Sequence, residues 1–309
     1  VFKDKKIIKE ISKINFGDNS LEVWNNTLPF PISSALTWYI KTNKNDKKFN
    51  HLLRFFEAYA QFISVVLLSA LASDREFYKE NKQKWQNDYH PNWINKSNFG
   101  DWIDLYTKLR DFIKEQYEKK ETKEFIVNLV GQGSSSFIEF VTNRQIIDVL
   151  RRTCVIRNEY RAHSGMMTKD FQAMHLNSLE KHLNQIRERV SYEFDDFIVV
   201  YPINSELNRD GLNYNDCKLL KGPITPFKEE EVVTATQIVS KQLYFQINQS
   251  QSAIELLPFL KFKEKEKVFY YYSRTDVGNI KYISHHYEDS GDTLEPKGEN
   301  WDDDIAFLF

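Results

Sequence analysis

Up to about residue 192, apolar positions recur at the three-to-four spacing of amphipathic helices. Beyond it they fall into short β-branched and aromatic runs. Phe2, Ile7, Ile8 and Ile11 predict a short charged helix that Gly17-Asp18-Asn19 ends. Leu28-Pro29-Phe30-Pro31 predicts an extended lead-in, because each proline disfavours helix in the residue before it. Ser33 or Ser34 is placed to cap a helix running to about residue 41. Residues 48–72 predict a long helix, amphipathic at first and nearly all apolar later, hence the centre of a bundle. Residues 74–98 read as an irregular, tryptophan-bearing insertion broken by Pro91. Asp101 is the expected cap of a helix over 102–119. Gly131-Gln132-Gly133-Ser134-Ser135-Ser136 predicts a turn and a cap; no lysine follows at the spacing of a phosphate-binding loop. A helix over 137–163, ended by Ser164-Gly165, and another over 169–192 complete the helical part.

Strands are predicted at 197–200, closed by Pro202, and at 243–247, 254–260, 267–273 and 279–287. Pro258 demotes the third of these to an edge or a break, and Thr275-Asp276-Val277-Gly278 supplies a hairpin turn. The pattern therefore predicts an α+β protein: a helix and linker over 1–30, an all-α bundle over 31–194, and a small, mostly antiparallel β-rich domain over 195–309.

Composition sets bounds on this picture. A chain of 309 residues suffices for two domains. The net charge of -2 excludes a whole-molecule field that draws in nucleic acid, so any RNA binding must rest on a local patch. Two cysteines, Cys154 and Cys217, build neither a disulfide framework nor a cysteine zinc site, which suits the cytoplasm. Residues 52–72 are long enough to span a bilayer, but Arg54, Glu57 and Gln61 interrupt them and no basic flank frames them, so a buried helix is expected rather than a membrane span. The chain opens on Val1, which reads as a trimmed chain or the tail of a longer one.

The densest chemistry lies in Arg157-Asn158-Glu159-Tyr160-Arg161-Ala162-His163. The predicted helix around it carries Arg144, Arg151, Arg152, Arg157 and Arg161 against Asp148 and Glu159, a local excess of positive charge in a chain that is weakly negative overall. Cleaving RNA at its own 2′-hydroxyl needs a base, an acid and positive charge on the phosphorane, but no metal. Histidine titrates near neutrality, arginine grips phosphate with a planar fork, and an asparagine can hold the ribose or the imidazole. On an unbroken helix Arg157 and His163 point about 120° apart with roughly 9 Å of rise between them. Either the helix ends early enough for His163 to swing back, or a second copy brings its own pair across a two-fold axis.

Arg157-Asn158, followed after four more residues by His163, resembles the R-x(4–6)-H motif of the HEPN superfamily, late in a helical domain and behind a long apolar helix. The resemblance covers about residues 31–193 and implies an all-helical, commonly dimeric bundle. It also implies a metal-independent endoribonuclease of a bacterial antiviral-defence or toxin system, with no cofactor. By that resemblance Arg157 and His163 take catalytic roles and Asn158 a supporting one; Arg161, Arg152 and Tyr160, which the motif does not fix, are assigned auxiliary phosphate contacts. The expected partners are an RNA substrate or a nucleotide ligand, a second copy of the chain, and an antitoxin or larger defence complex.

Competing readings accompany these residues. The bundle could serve as a non-catalytic dimerising subunit, or as a nucleotide sensor in which Arg157 and Arg161 bind phosphate without cutting. Arg157 could pair with Glu159 or with an acid on a neighbouring helix, and His163 could answer a helix dipole. Glu57, a carboxylate in an apolar helix, needs a partner and is expected in an ion pair, or orienting an active-site arginine or histidine. His175 and His182, seven apart, lack a chelating spacing and read as core or surface histidines. His285 and His286, adjacent in a strand, face opposite sides. Phe269-Tyr270-Tyr271-Tyr272 predicts sheet core on one side and a partner surface on the other. Asp302-Asp303-Asp304 precedes an apolar end that is expected to dock onto the domain or onto another chain, or the acidic run is a solvated turn before a last strand.

Overall fold

A computed structural model of the chain describes residues 20–86, 97–162, 169–190, 193–207, 212–247, 250–276, 279–285, 293–295 and 308. The protein is α+β, with helices first and antiparallel sheets after them. The helices are α1 (Leu21–Thr27), α2 (Phe30–Lys41), α3 (Asn45–Ser73), α4 (Arg75–Asn81), α5 (Gln83–Gln86), α6 (Phe99–Glu118), α7 (Lys123–Leu129), α8 (Ser135–Val141), α9 (Arg144–Ala162) and α10 (Lys169–Val190). The expected helix ahead of residue 20 and its Gly17-Asp18-Asn19 break lie outside the described residues.

Helix α3 is the axis. Its apolar length would cross a bilayer, but 89% of that window is buried within the protein, packed by α2, α6, α9 and α10. Several boundaries depart from the sequence pattern because side chains took other partners. Helix α2 starts at Phe30 rather than behind a serine cap. Pro31 suits a first turn that needs no amide hydrogen, and Ser33 and Ser34 donate instead to the carbonyls of Asn25 (3.0 Å) and Pro31 (3.1 Å). Asn98, not Asp101, caps α6: its side chain accepts from Gly100 N at 2.9 Å, while Asp101 reaches back to Asn98 N at 2.8 Å. The single helix expected over 137–163 is two, α8 and α9. At the break, Thr142 Oγ1 donates to the Ile138 carbonyl at 2.7 Å and Asn143 Oδ1 accepts from Gln145 N at 3.0 Å, two local bonds that compete with helix continuation. The turn before α8 is as expected, Ser134 accepting from Phe137 N at 3.4 Å.

Two sheets follow, every registered pair antiparallel. One has the order β3-β2-β1-β4-β5, with β1 (Phe197–Leu207), β2 (Asn213–Leu219), β3 (Lys228–Thr234), β4 (Tyr244–Ile247) and β5 (Ile254–Glu255). The other runs β6-β7-β8-β9, with β6 (Leu260–Lys263), β7 (Val268–Asp276), β8 (Asn279–Ile283) and β9 (Thr293–Leu294). Pro202 does not close the first strand; β1 passes through it at a register shift between Pro202 and Asn204, where a residue without an amide hydrogen is tolerated. The strand expected over 254–260 is split around Pro258 into β5 and β6, which belong to different sheets. Asp276 pairs with Asn279 around the expected hairpin turn, of which Val277 and Gly278 lie outside the described residues.

One apolar core runs through the helices and both sheets. Phe137 of α8 packs on Phe197 at 4.8 Å and on Phe245 at 5.4 Å between ring centroids, and Trp102 of α6 packs on Phe259 at 5.8 Å. Polar bonds fix the same seam: Gln61 donates to the Tyr272 carbonyl, and Ser69 accepts from Leu257 N, each at 2.9 Å. Phe269, Tyr270, Tyr271 and Tyr272 are all buried. The partner surface expected on one side of that run is therefore replaced by protein. Leu308 is buried too, its carbonyl accepting from the Tyr78 hydroxyl at 2.9 Å, so this residue of the apolar end packs onto this chain. Asp302, Asp303 and Asp304 lie outside the described residues.

Candidate functional site

Helix α9 crosses α3 near its own C-terminal end, and the crossing brings Arg157 onto Glu57. Arg157 is buried at 7% exposure, with a guanidinium nitrogen 3.8 Å from Glu57 Oε1. Burial raises the Glu57 carboxyl above its ordinary range, against the pull of Arg157, Arg161 and Arg54 in that order. Burial likewise lowers the Arg157 guanidinium, which Glu57 partly restores; the fork stays charged, since its ordinary value lies so far above neutrality. Three guanidiniums thus act on one half-buried carboxylate and leave surplus positive charge at the end of α9. Asp101, in the first turn of α6, joins the edge of this cluster: desolvation raises it, and Arg157 is among the charges that lower it.

The remaining expected site residues are distributed unevenly. Asn158 is exposed, its amide 3.8 Å from the Cys154 sulfur one turn back. Arg161 is exposed and near enough to Glu57 to influence its charge. Tyr160 is half-buried, its ring on Phe49 of α3 with centroids 4.6 Å apart. Arg152 is exposed and donates to Gln185 of α10 at 2.9 Å; five positions before Arg157, it leaves the helix about 140° away from it. His163 lies outside the described residues, as does the segment 163–168 that follows α9.

The histidines of α10 are core residues facing α9. His182 Nδ1 is 3.0 Å from Thr153 Oγ1, and burial, with Arg152 nearby, pulls the ring down to about 4. His175 Nε2 lies 3.8 Å from Glu159 Oε2. His285 is buried, its ring tilted against that of Tyr271 with centroids 5.0 Å apart and pulled down to about 3 by burial; His286 lies outside the described residues. Among the described residues no group of three or more His, Cys, Asp and Glu side chains gathers as a metal would need.

The sequence points to Arg157 and marks Glu57 as needing a partner. It does not point to Arg54 or Asp101. Arg54 precedes Glu57 by three residues, one helical turn on the same face, and this is the available signal; Asp101 has none, because its place depends on how α6 packs. Chemically the cluster holds a buried guanidinium, with the exposed Asn158 amide and the exposed Arg161 guanidinium on the neighbouring turn, groups that favour an anionic oxygen group at the end of α9. The sequence matches no protein-family model, and comparisons with curated proteins and with solved structures give no match.

Proposed function

We propose that the protein is a metal-independent endoribonuclease in which Arg157 steadies the phosphate in the transition state and His163 transfers a proton. The observation that carries this is the pairing of the buried Arg157 guanidinium with Glu57 at 3.8 Å, six positions before His163, with Arg161 and Arg54 near enough to act on the same carboxylate. A guanidinium packed in the core beside a carboxylate loses little freedom when it meets phosphate, which favours electrostatic stabilisation of developing charge. The 2′-hydroxyl loses its proton to a base and attacks the adjacent phosphorus. The 5′-oxygen leaves with a proton from an acid, giving a 2′,3′-cyclic phosphate and a 5′-hydroxyl. Asn158, exposed one position after Arg157, orients the ribose or the imidazole. Arg161 adds a phosphate contact, and a second copy of the chain contributes its own pair. The setting that fits is cytoplasmic, as a toxin or antiviral-defence component under the control of an antitoxin or larger complex.

The burial of Arg157 favours a second reading, a nucleotide sensor that holds phosphate through Arg161 and Asn158 without cutting. Incubation of purified protein with total RNA in EDTA separates the two. Cleavage by the parent and not by Arg157→Ala or His163→Ala, with all three equally folded, supports the nuclease. Intact RNA with every protein, together with nucleotide binding lost in Arg161→Ala, supports the sensor.

A further inference from the structure

A cleft of about 280 Å³ lies where α2, the connection between β2 and β3, and the turn between β6 and β7 meet. Trp38, Lys41, Thr225, Glu266 and Lys267 line it. None of these residues belongs to the Arg157 cluster. Its charges are unbalanced. Glu266 already accepts from Lys263 Nζ at 2.8 Å and from the Tyr270 hydroxyl at 3.3 Å. The ammonium groups of Lys41 and Lys267 meet no hydrogen-bond or ion-pair partner among the described residues.

The walls are fixed in advance. Phe30 N donates to the Leu220 carbonyl and Gly222 N to the Leu28 carbonyl, each at 2.8 Å, tying the connection to the start of α2. Gly222 sits at φ 67° with Asn26 O only 3.0 Å from where a Cβ would stand, so this close approach needs glycine. Lys267 adopts φ 54°, a region uncommon for a residue with a side chain. Apart from Trp38 and Pro223 the lining is polar, with Ser34, Thr37 and Thr225 beside the charged groups, which suits a hydrogen-bonding ligand rather than an apolar one.

We propose that this cleft binds a nucleoside monophosphate, with the phosphate between Lys41 and Lys267 and the base against Trp38. Two unneutralised ammonium groups favour a phosphate dianion over a singly charged carboxylate. The half-buried Trp38 indole, already 6.2 Å from the His51 ring, is the aromatic group lining the cleft that a base would meet. The volume of about 280 Å³ lies just below the small-molecule range of roughly 300–1,000 Å³, which limits the occupant to no more than one nucleotide. The bound nucleotide would bridge α2 to both sheets.

Calorimetric titration with AMP tests this, with adenosine and inorganic phosphate as separate arms and tryptophan fluorescence read alongside. Saturable AMP binding is expected, at least about tenfold weaker in Lys41→Gln/Lys267→Gln and for either fragment alone, since a charge-assisted hydrogen bond is worth about that factor in affinity. Quenching by AMP is expected in the parent and absent in Trp38→Phe. Both lysines are exposed, so the double variant keeps its melting temperature. No saturable heat with AMP overturns the proposal, as does unchanged affinity in the lysine variant or equal quenching in Trp38→Phe.

Discussion

Among single residues, the decisive question is what holds the Arg157 guanidinium. With Glu57 removed, a nearly buried cation loses its counter-charge. Glu57→Ala is expected to cost about 2 kcal/mol, within the range for stranding a buried polar group. Arg157→Ala strands the carboxylate instead, and the double variant should cost clearly less than the two single losses added together. Urea denaturation checks this; strictly additive losses would mean that the two side chains do not interact. Much of this pair is legible in the sequence, because a carboxylate in an apolar helix requires a cation. Its company is less so. Arg54 shares a face of α3 with Glu57 at a spacing of three, a faint local signal, whereas Asp101 comes to the cluster from α6 through packing, which no local spacing encodes.

Between elements, α9 is docked on α10 by a neutral histidine. The His182 ring titrates at about 4 when folded, against an ordinary value of 6.5. Between those values the unfolded chain binds a proton that the folded chain refuses, so this group's effect is to lower stability as pH falls from about 6.5 to about 4, by at most about 3 kcal/mol. His182→Gln should flatten that part of the pH profile of the melting temperature, and a variant as acid-sensitive as the parent would contradict the assignment. The break between α8 and α9 rests on Asn143; Asn143→Ala is expected to cost about 1 kcal/mol, as lost helix caps do, read as a drop in the denaturation midpoint.

That break escapes the sequence pattern because neither glycine nor proline marks it. The strands β2 and β3 escape for a related reason. Asn213, Asn215 and Asp216 of β2 and Glu229, Glu230 and Glu231 of β3 are polar. The glutamates are exposed on an edge strand, where charge discourages further pairing but erases the hydrophobic alternation that reveals a strand. The axial helix α3 is plain from its long apolar period, and the α+β class from the change of period near residue 195.

Across the molecule, the helices and sheets share one core, and the seam between them is made of large aromatic rings. Phe245→Ala, which opens a void against Phe137 and Phe197, is expected to cost about 3–5 kcal/mol and to shift helical and near-ultraviolet circular dichroism transitions together. A loss of sheet signal that leaves the helical transition in place would show two independent units. What this shared framework holds at the end of α9 is a set of guanidiniums, proposed to act on a phosphodiester without a metal. The decisive test of that proposal is identification of the product ends by mass spectrometry, after incubation with a short single-stranded RNA in EDTA. The expected products carry 2′,3′-cyclic phosphate and 5′-hydroxyl termini that disappear with Arg157→Ala; 5′-phosphate termini, or an uncut strand under those conditions, would contradict the proposal.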